Sequence, residues 1–270
     1  VAGLAMVLTA AAFIARRVSP LVLAAGLVVV LGLGLALYKA TLTTADTERG
    51  LRVMTANLLF SNTNVPAFTL AVRTADPDVL VVQERVAFWV GAIDRTLGAT
   101  YELLASSPSS NTAIYLRKGL RTCPVPDLRT PIAGNAALGC VYLDGLPMLV
   151  LGVHAPRPKD RAAEADRVTS LAAYRATLGE AQMPHIVVGD FNASPLSPGM
   201  AEFLRLTATR MPWEAGVWFQ SSWPAAMPAV GVRIDHVLIG RSFAARVVRF
   251  GPPIGSDHLP VTVDVSRRAH

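Results

Sequence analysis

The chain has 270 residues, 52% of them hydrophobic and 16% charged, with a formal net charge of +6 and a mean hydropathy of +0.41. That length holds one large domain with a sizeable core and something small beside it, while the composition is too apolar for an ordinary soluble enzyme along its whole length. Two cysteines, Cys123 and Cys140, are too few for a zinc site or a disulfide scaffold.

The apolar excess lies at the N-terminus. Val1 to Ala15 carries no charge, and Leu21 to Tyr38 is an uncharged run of 18 residues. At about 1.5 Å per residue, the second run nearly crosses a hydrocarbon core of roughly 30 Å. The first is short, and an opening Val in place of Met suits a chain whose beginning is missing. A signal peptide would carry basic residues before a single apolar stretch and a small-residue cleavage site after it. Here Arg16 and Arg17 stand between two stretches. Residues 1–40 are therefore expected to form a transmembrane hairpin that anchors the chain in a cell membrane. Two arginines against the lone Lys39 place the connection in the cytoplasm, so the rest of the chain is expected to be extracytoplasmic. No protein partner is expected. The sequence pI of about 9.8 looks like a nucleic-acid signal. Setting aside three of the 25 basic residues, Arg16, Arg17 and Lys39, leaves 22 against 19 acidic ones, a net of +3. That surplus suits any anionic substrate and is not a DNA-binding stripe.

Residues 41–50 (TLTTADTERG) turn abruptly polar and read as a linker, and residues 51–270 read as the catalytic domain. From Leu51 onward, short apolar runs alternate with turn signals. Leu51–Leu58, Val79–Gln83, Thr112–Leu116, Ala137–Leu143, Met148–Val153, His185–Val188, Arg233–Ile239, Ala244–Phe250 and Val261–Val265 are predicted strands. Several are continuous rather than alternating, as strands covered on both faces should be. Phe68–Ala75, Ala87–Leu97 and Arg161–Leu178 are predicted helices, the last with a stripe of Ala165, Val168, Leu171, Ala172 and Leu178. Many strands with few helices predict an α/β (α+β) fold of two packed sheets flanked by helices. Cys123 and Cys140 fit neighbouring strands, either bridged or as two buried thiols.

Polar residues recur at the ends of the apolar strands. Asn57 ends LRVMTAN, Glu84 follows VLVVQ, and His154 ends MLVLGVH. Asp190 and Asn192 end HIVVGDFN, Asp235 interrupts VRIDHVLI, and Asp257 and His258 follow Gly255 in IGSDHLPV. One such carboxylate would simply cap a turn. Six segments side by side would gather acids, amides and imidazoles on one rim, where unpaired charges repel and are costly to desolvate. A divalent cation with oxygen ligands removes that cost.

The series VMTANLL, VVQE, LGVHAP, VVGDFNASP, RIDHVL and GSDHLPV resembles the successive motifs of the endonuclease/exonuclease/phosphatase superfamily, in unbroken order from about Leu51 to Val265. GDFN followed far downstream by SDH is the specific part. The resemblance implies a four-layered α/β sandwich of two packed mixed sheets and hydrolysis of a phosphoester. The expected cofactor is Mg²⁺, with Mn²⁺ or Ca²⁺ as substitutes. It implies that Glu84 binds the metal with Asn57 beside it, and that Asp257 is a further metal ligand or an acid in the shell around the metal. Asp190 is implied to orient or deprotonate the attacking water, Asn192 to hydrogen-bond a phosphate oxygen, and His258 to face the scissile phosphate. Asp235 is implied to hold the ring of His258, and His154 to assist the leaving group. Asn111 fits a position that faces the phosphate.

The chemistry is consistent with these roles. A cation with donors such as Asn192 and His258 counters the charge of the transition state, and an Asp–His pair fixes the imidazole tautomer. Elsewhere the plain structural reading is preferred: His185 is structural, His236 points to the opposite face from Asp235, Tyr115 belongs to the core, and Arg157 and Lys159 sit on a solvated loop. Trp213, Trp218, Phe219 and Trp223 form a hydrophobic lid, with a substrate wall or membrane-dipping loop as the alternative. Nucleic acid, a lipid or glycolipid headgroup and a small phosphomonoester all remain open as substrates. The competing functions are a catalytically silent binding module of the same fold and an integral-membrane protein built around the hairpin.

Overall fold

The computed structural model describes residues 50–107, 111–212 and 220–268, together with Gly26. The chain divides into two units, residues 1–47 and 48–270. Apart from Gly26, both expected membrane stretches lie outside the described residues, as do Trp213, Trp218 and Phe219. Among the described residues no helix is long and apolar enough to cross a membrane.

In chain order, the second unit begins with β1 (Leu51–Asn57), α1 (Val65–Ala75), β2 (Val79–Gln83), α2 (Ala87–Leu97), β3 (Tyr101–Ser107), β4 (Thr112–Arg117), β5 (Ala136–Leu143) and β6 (Leu146–His154). It continues with α3 (Arg161–Ala181), β7 (His185–Asp190), α4 (Pro198–Thr207), β8 (Thr209–Arg210), β9 (Asp235–Gly240), β10 (Phe243–Phe250) and β11 (Val261–Arg267). One mixed sheet runs β10-β11-β1-β2-β4-β3, the other β5-β6-β7-β9-β8. Every residue of β2 is buried, which favours apolar side chains on both faces and explains the unbroken run VLVV before Gln83.

Each face of each sheet has its own partner. Val53, Val81 and Ile114 of the first sheet meet Val150, Ile186 and Val237 of the second in the central core. On the far side of the first sheet, Met54 and Leu80 pack with Phe68 of α1 and Trp89 of α2. On the far side of the second, Leu151 and Val187 pack with Tyr174 of α3 and Phe203 of α4. The result is the expected four-layered sandwich of two packed mixed sheets. Each of these large side chains contributes roughly 1.5–3 kcal/mol on burial, so the sandwich, more than strand propensity, holds the strands in place.

Three elements go beyond the predicted ones. β3 is a half-exposed strand with a bulge between Leu103 and Ala105, which breaks the alternation that would reveal it. The two-residue β8 carries no periodicity. α4 does carry a start signal: Ser197 accepts a hydrogen bond from the Met200 N–H at 3.3 Å, and Pro198 takes the first turn. The stripe of α3 is also corrected. Its buried positions are Arg167, Leu171, Tyr174, Thr177, Leu178 and Ala181, while Val168 is 52% exposed. A purely apolar reading misses it because Tyr174 buries an aromatic body and Arg167 is neutralised by Glu164 at 2.6 Å. Cys123 and Cys140 form a disulfide, which decides the alternative in favour of the bridge. The Cys123 N–H donates to the Cys140 carbonyl at 3.1 Å, so the bridge ties a loop onto β5.

Candidate active site

The parallel strand pairs bring the site together. β1 and β2 run in parallel with Asn57 opposite Gln83, so Asn57 and the next residue, Glu84, arrive at the same sheet end. In the second sheet, parallel β6 and β7 put His154 opposite Asp190, and antiparallel β9 puts Asp235 opposite Asp190. Both sheets end at one open cleft of about 700 Å³, lined by Glu84, His154, Asp190, Asn192, Asp257 and His258 among others. Glu84 and Asn192 adopt positive φ, 55° and 45°, a conformation costing roughly 1–2 kcal/mol outside glycine. Such strain persists where the surroundings fix it, and here it turns both side chains toward the cleft.

A network of polar contacts binds the two sheets. The Asn57 amide donates to Glu84 Oε1 and to Asp190 Oδ2, both at 3.1 Å, while its own oxygen accepts from the Leu59 N–H at 3.0 Å. The second oxygen of Glu84 accepts from the Phe60 N–H at 2.8 Å. The Asn192 side chain donates to the Ala155 carbonyl at 2.9 Å and to Asp190 Oδ2 at 3.2 Å, and its backbone N–H donates to Asp190 Oδ1 at 2.7 Å. His258 Nδ1 lies 2.8 Å from Asp235 Oδ2, which leaves Nε2 facing Asp190 Oδ2 at 3.8 Å. His154 Nε2 stands 3.8 Å from both Asp190 and Glu84. Asp235 is held from behind by Ser222, whose hydroxyl oxygen accepts from the Asp235 and Ile234 N–H groups at 3.0 Å.

Charge follows this geometry. Burial pushes the Asp190 carboxyl up, and the neighbouring Asp235 charge adds to it, to about 6 against the pull of the two histidines. Burial alone would lower His258, but the charge and hydrogen bond of Asp235, with Asp190 and Asp257, outweigh it and raise the ring to about 10. His258 is therefore an imidazolium at neutral pH, with one N–H donor held by Asp235 and the other free to meet an anion. Asp190, Asp235 and His258 each offer a ligand atom within 4.8 Å of the others. Because His258 is already committed to Asp235, the oxygen-rich side of the cleft, with Glu84, Asp190 and Asp257, is the better match for a hard divalent cation. The buried Oδ1 of Asp235 accepts no hydrogen bond among the described residues. The residues present thus fit such a cation.

The structure brings Asn57, Glu84, His154, Asp190, Asn192, Asp235, Asp257 and His258 together. Asn57 presents its amide hydrogens to the carboxylates, so in this arrangement it clasps them and would have to turn its amide to ligate a metal. Both Asn192 side-chain hydrogens likewise hold protein oxygens. Asn111 turns the chain before β4 with φ 54°, and its carbonyl accepts from the Arg85 N–H at 3.1 Å. It is not among the described residues lining the cleft. His185 sits between the Met183 and Thr207 carbonyls, and His236 donates to the Ala193 carbonyl at 2.9 Å, both away from the cleft. Tyr115 is buried, as a core residue should be. Sequence reasoning missed Ser222, which has no signal beyond a hydroxyl beside a strand. It also left the job of Trp223 open: the indole N–H donates to Asp257 Oδ2 at 3.0 Å and the ring lines the cleft, so this tryptophan is a wall of the site.

The fold has many solved counterparts. An endonuclease/exonuclease/phosphatase family protein from Bacteroides thetaiotaomicron is 17% identical, with a TM-score of 0.67, covering 83% of this chain and 100% of its own. A humanized D. rerio TDP2 is 17% identical, with a TM-score of 0.65, covering 80% of this chain and 99% of its own. A mannosyl-6-phosphatase from Bacteroides thetaiotaomicron is 17% identical, with a TM-score of 0.60, over 80% and 99% of the two chains. At these identities the likeness is one of fold. No curated protein matches the chain. Residues 54–258 match the Endonuclease/Exonuclease/phosphatase family across the whole series of site segments, and the chain belongs to that family.

Proposed function

We propose that this chain is a divalent-metal-dependent phosphoester hydrolase that prefers a phosphodiester and acts at the outer face of a membrane. The observation that carries the reading is the Asp235–His258 pair, 2.8 Å apart, facing Asp190 in a cleft also lined by Glu84 and Asp257. A silent binding module would have no need of a buried carboxylate set against a protonated imidazole. The names of two structural neighbours, a mannosyl-6-phosphatase and a TDP2 complexed with single strand DNA product, lend support to phosphoester chemistry.

Glu84 and Asp257, with Asn57 after rotation of its amide, would hold Mg²⁺, with Mn²⁺ or Ca²⁺ as substitutes. A bound divalent cation supplies positive charge to counter the anionic ester. Asp190 orients the attacking water and takes its proton, a task suited to a carboxyl lifted toward neutrality. His258 donates its Nε2 proton as a hydrogen bond to a phosphate oxygen, where negative charge grows in the transition state. His154 stands on the other side of Asp190, placed to give a proton to the leaving oxygen. Asn192 keeps Asp190 aimed by holding both of its oxygens.

The outer-face assignment rests on the apolar N-terminal stretches with their Arg16–Arg17 connection, and on the Cys123–Cys140 bridge, since disulfides persist in oxidising compartments. The test is hydrolysis of bis(p-nitrophenyl) phosphate by the full chain in detergent. EDTA should abolish it and Mg²⁺ or Mn²⁺ restore it, and Glu84→Gln should lose the metal-dependent rate while keeping the fold. Activity that survives thorough chelation would overturn the metal assignment.

A further inference from the structure

Arg157 lies in the loop between β6 and α3, three residues beyond His154, and lines the same cleft as the acid and imidazole groups. Its guanidinium lies over the Trp223 ring, 5.2 Å from the centroid. The Trp223 indole N–H donates to Asp257 Oδ2 at 3.0 Å, and Asp257 Oδ1 lies 3.9 Å from His258 Nε2. One continuous series of contacts thus runs from the reacting end of the cleft, through an acid and an aromatic wall, to an arginine near its mouth.

That arginine differs from those the fold pairs with acids. Arg52 and Arg249 pair with Asp264, Arg117 with Asp76 and Asp78, and Arg167 with Glu164. Arg157 is exposed, and among the described residues no carboxylate pairs with it. Lys159 lines the cleft two residues further on. An arginine laid on an indole gives up rotational freedom but none of its five N–H donors. It is preorganised for an anion, and bidentate binding of a phosphate is what that planar fork does best. The reacting end of the cleft already has its own groups for one phosphate. A second anion at Arg157 would therefore be another group of the same substrate.

We propose that Arg157, seated on Trp223 and aided by Lys159, is a specificity-determining subsite for a second phosphate carried on the alcohol part of the ester. The inference rests on the hydrolase reading above and narrows its substrate class to esters bearing two phosphates. Trp223 has two duties, platform for Arg157 and anchor for Asp257, so it couples occupancy of the subsite to the position of an acid beside His258.

The test compares thymidine 5′-(p-nitrophenyl phosphate) with and without a 3′-phosphate, and in parallel phosphatidylinositol 4-phosphate with phosphatidylinositol in phosphatidylcholine vesicles. The full chain should prefer the doubly phosphorylated member of at least one pair. Arg157→Ala should cut that preference in kcat/KM about tenfold or more, mainly through KM, and Arg157→Lys should recover part of it, since it keeps the charge but not the fork. Discrimination among the nucleotides identifies a soluble source of the second phosphate, and discrimination among the lipids identifies a headgroup; either supports the subsite. Calorimetric binding of thymidine 3′,5′-bisphosphate against the 5′-monophosphate tests it apart from catalysis, so failed hydrolysis and a failed subsite are distinguishable. Absence of discrimination within both pairs together with equal affinity for these two nucleotides in wild type, or equal losses on both members of each pair in Arg157→Ala, would overturn the proposal.

Discussion

His258 is a side chain whose behaviour is set almost wholly by its neighbours. Asp235 is itself buried, sits 2.8 Å from the ring, and is held by the Ser222 hydroxyl, which accepts from its backbone N–H and from that of Ile234. Replacing it with Asn leaves a group of the same shape that can turn either its oxygen or its amide hydrogens to Nδ1. Half of that choice gives the wrong tautomer. Asp235→Asn is therefore expected to lower kcat by about 10²–10⁴-fold while leaving KM nearly unchanged. His258→Ala should cost at least as much, and the double variant little more than His258→Ala alone, because residues acting as one unit are not additive. The comparison is made by kcat on one diester at saturating Mg²⁺. Strictly multiplicative losses would show the two residues acting independently. Unchanged rates in all three would favour the binding-module reading.

At the level of elements, the paired ends of β7 and β9 carry two features that follow from close packing. Gly189 precedes Asp190 with φ 146°, and a Cβ there would stand 2.0 Å from the Val153 carbonyl oxygen of the neighbouring β6. Gly189→Ala must separate β6 from β7 at the row next to the one that pairs His154 with Asp190. A loss of about 2 kcal/mol or more in stability is expected together with a loss of activity. Urea unfolding would show it, and a fully stable, fully active variant would contradict the packing. The second feature is His236 on β9, fully buried and held low, near 4, by burial. Its folded value lies below the ordinary histidine value of about 6.5, so the contribution is present above that pH and is lost as pH falls through about 4. Between pH 7.5 and 5 the wild type should lose about 2 kcal/mol more than His236→Gln, which keeps a donor for the Ala193 carbonyl but does not titrate. Equal losses in the two proteins would show that the ring is not held neutral.

For the whole molecule, the Cys123–Cys140 bridge and the apolar N-terminal stretches bear on the same question of compartment. A bridge with a sequence separation of 17 removes enough freedom from the unfolded chain to be worth about 3 kcal/mol. Reduction, or the paired change of both cysteines to Ala, should lower the urea midpoint accordingly without abolishing hydrolysis, because the bridge ties a loop to β5 and neither cysteine lines the cleft. Reporter fusions after Gly50 should behave as exported, with the Arg16–Arg17 connection inside. A cytoplasmic signal from those fusions would reverse the orientation and reopen intracellular nucleic acid as substrate.

The resemblance of the motif series implied the four-layer class; the amino-acid order by itself determined the positions of the apolar strands other than β3 and β8 and the identity of the polar residues at their ends. Those features are local: a strand buried on both faces must be apolar throughout, and a polar residue that ends such a run is visible by contrast. The same logic explains what was illegible. β3 and the buried stripe of α3 depend on which face a neighbour covers, and Arg167 is inside only because Glu164 meets it there. Tertiary structure alone decided that Asn57 clasps Glu84 and Asp190, that Ser222 holds Asp235, that Cys123 and Cys140 are joined, and that Trp223 supports both Asp257 and Arg157. Each of these contacts joins residues 13 to 133 positions apart across loops and sheet packing, or depends on the side-chain direction at a single atom, and no periodicity in the chain encodes either.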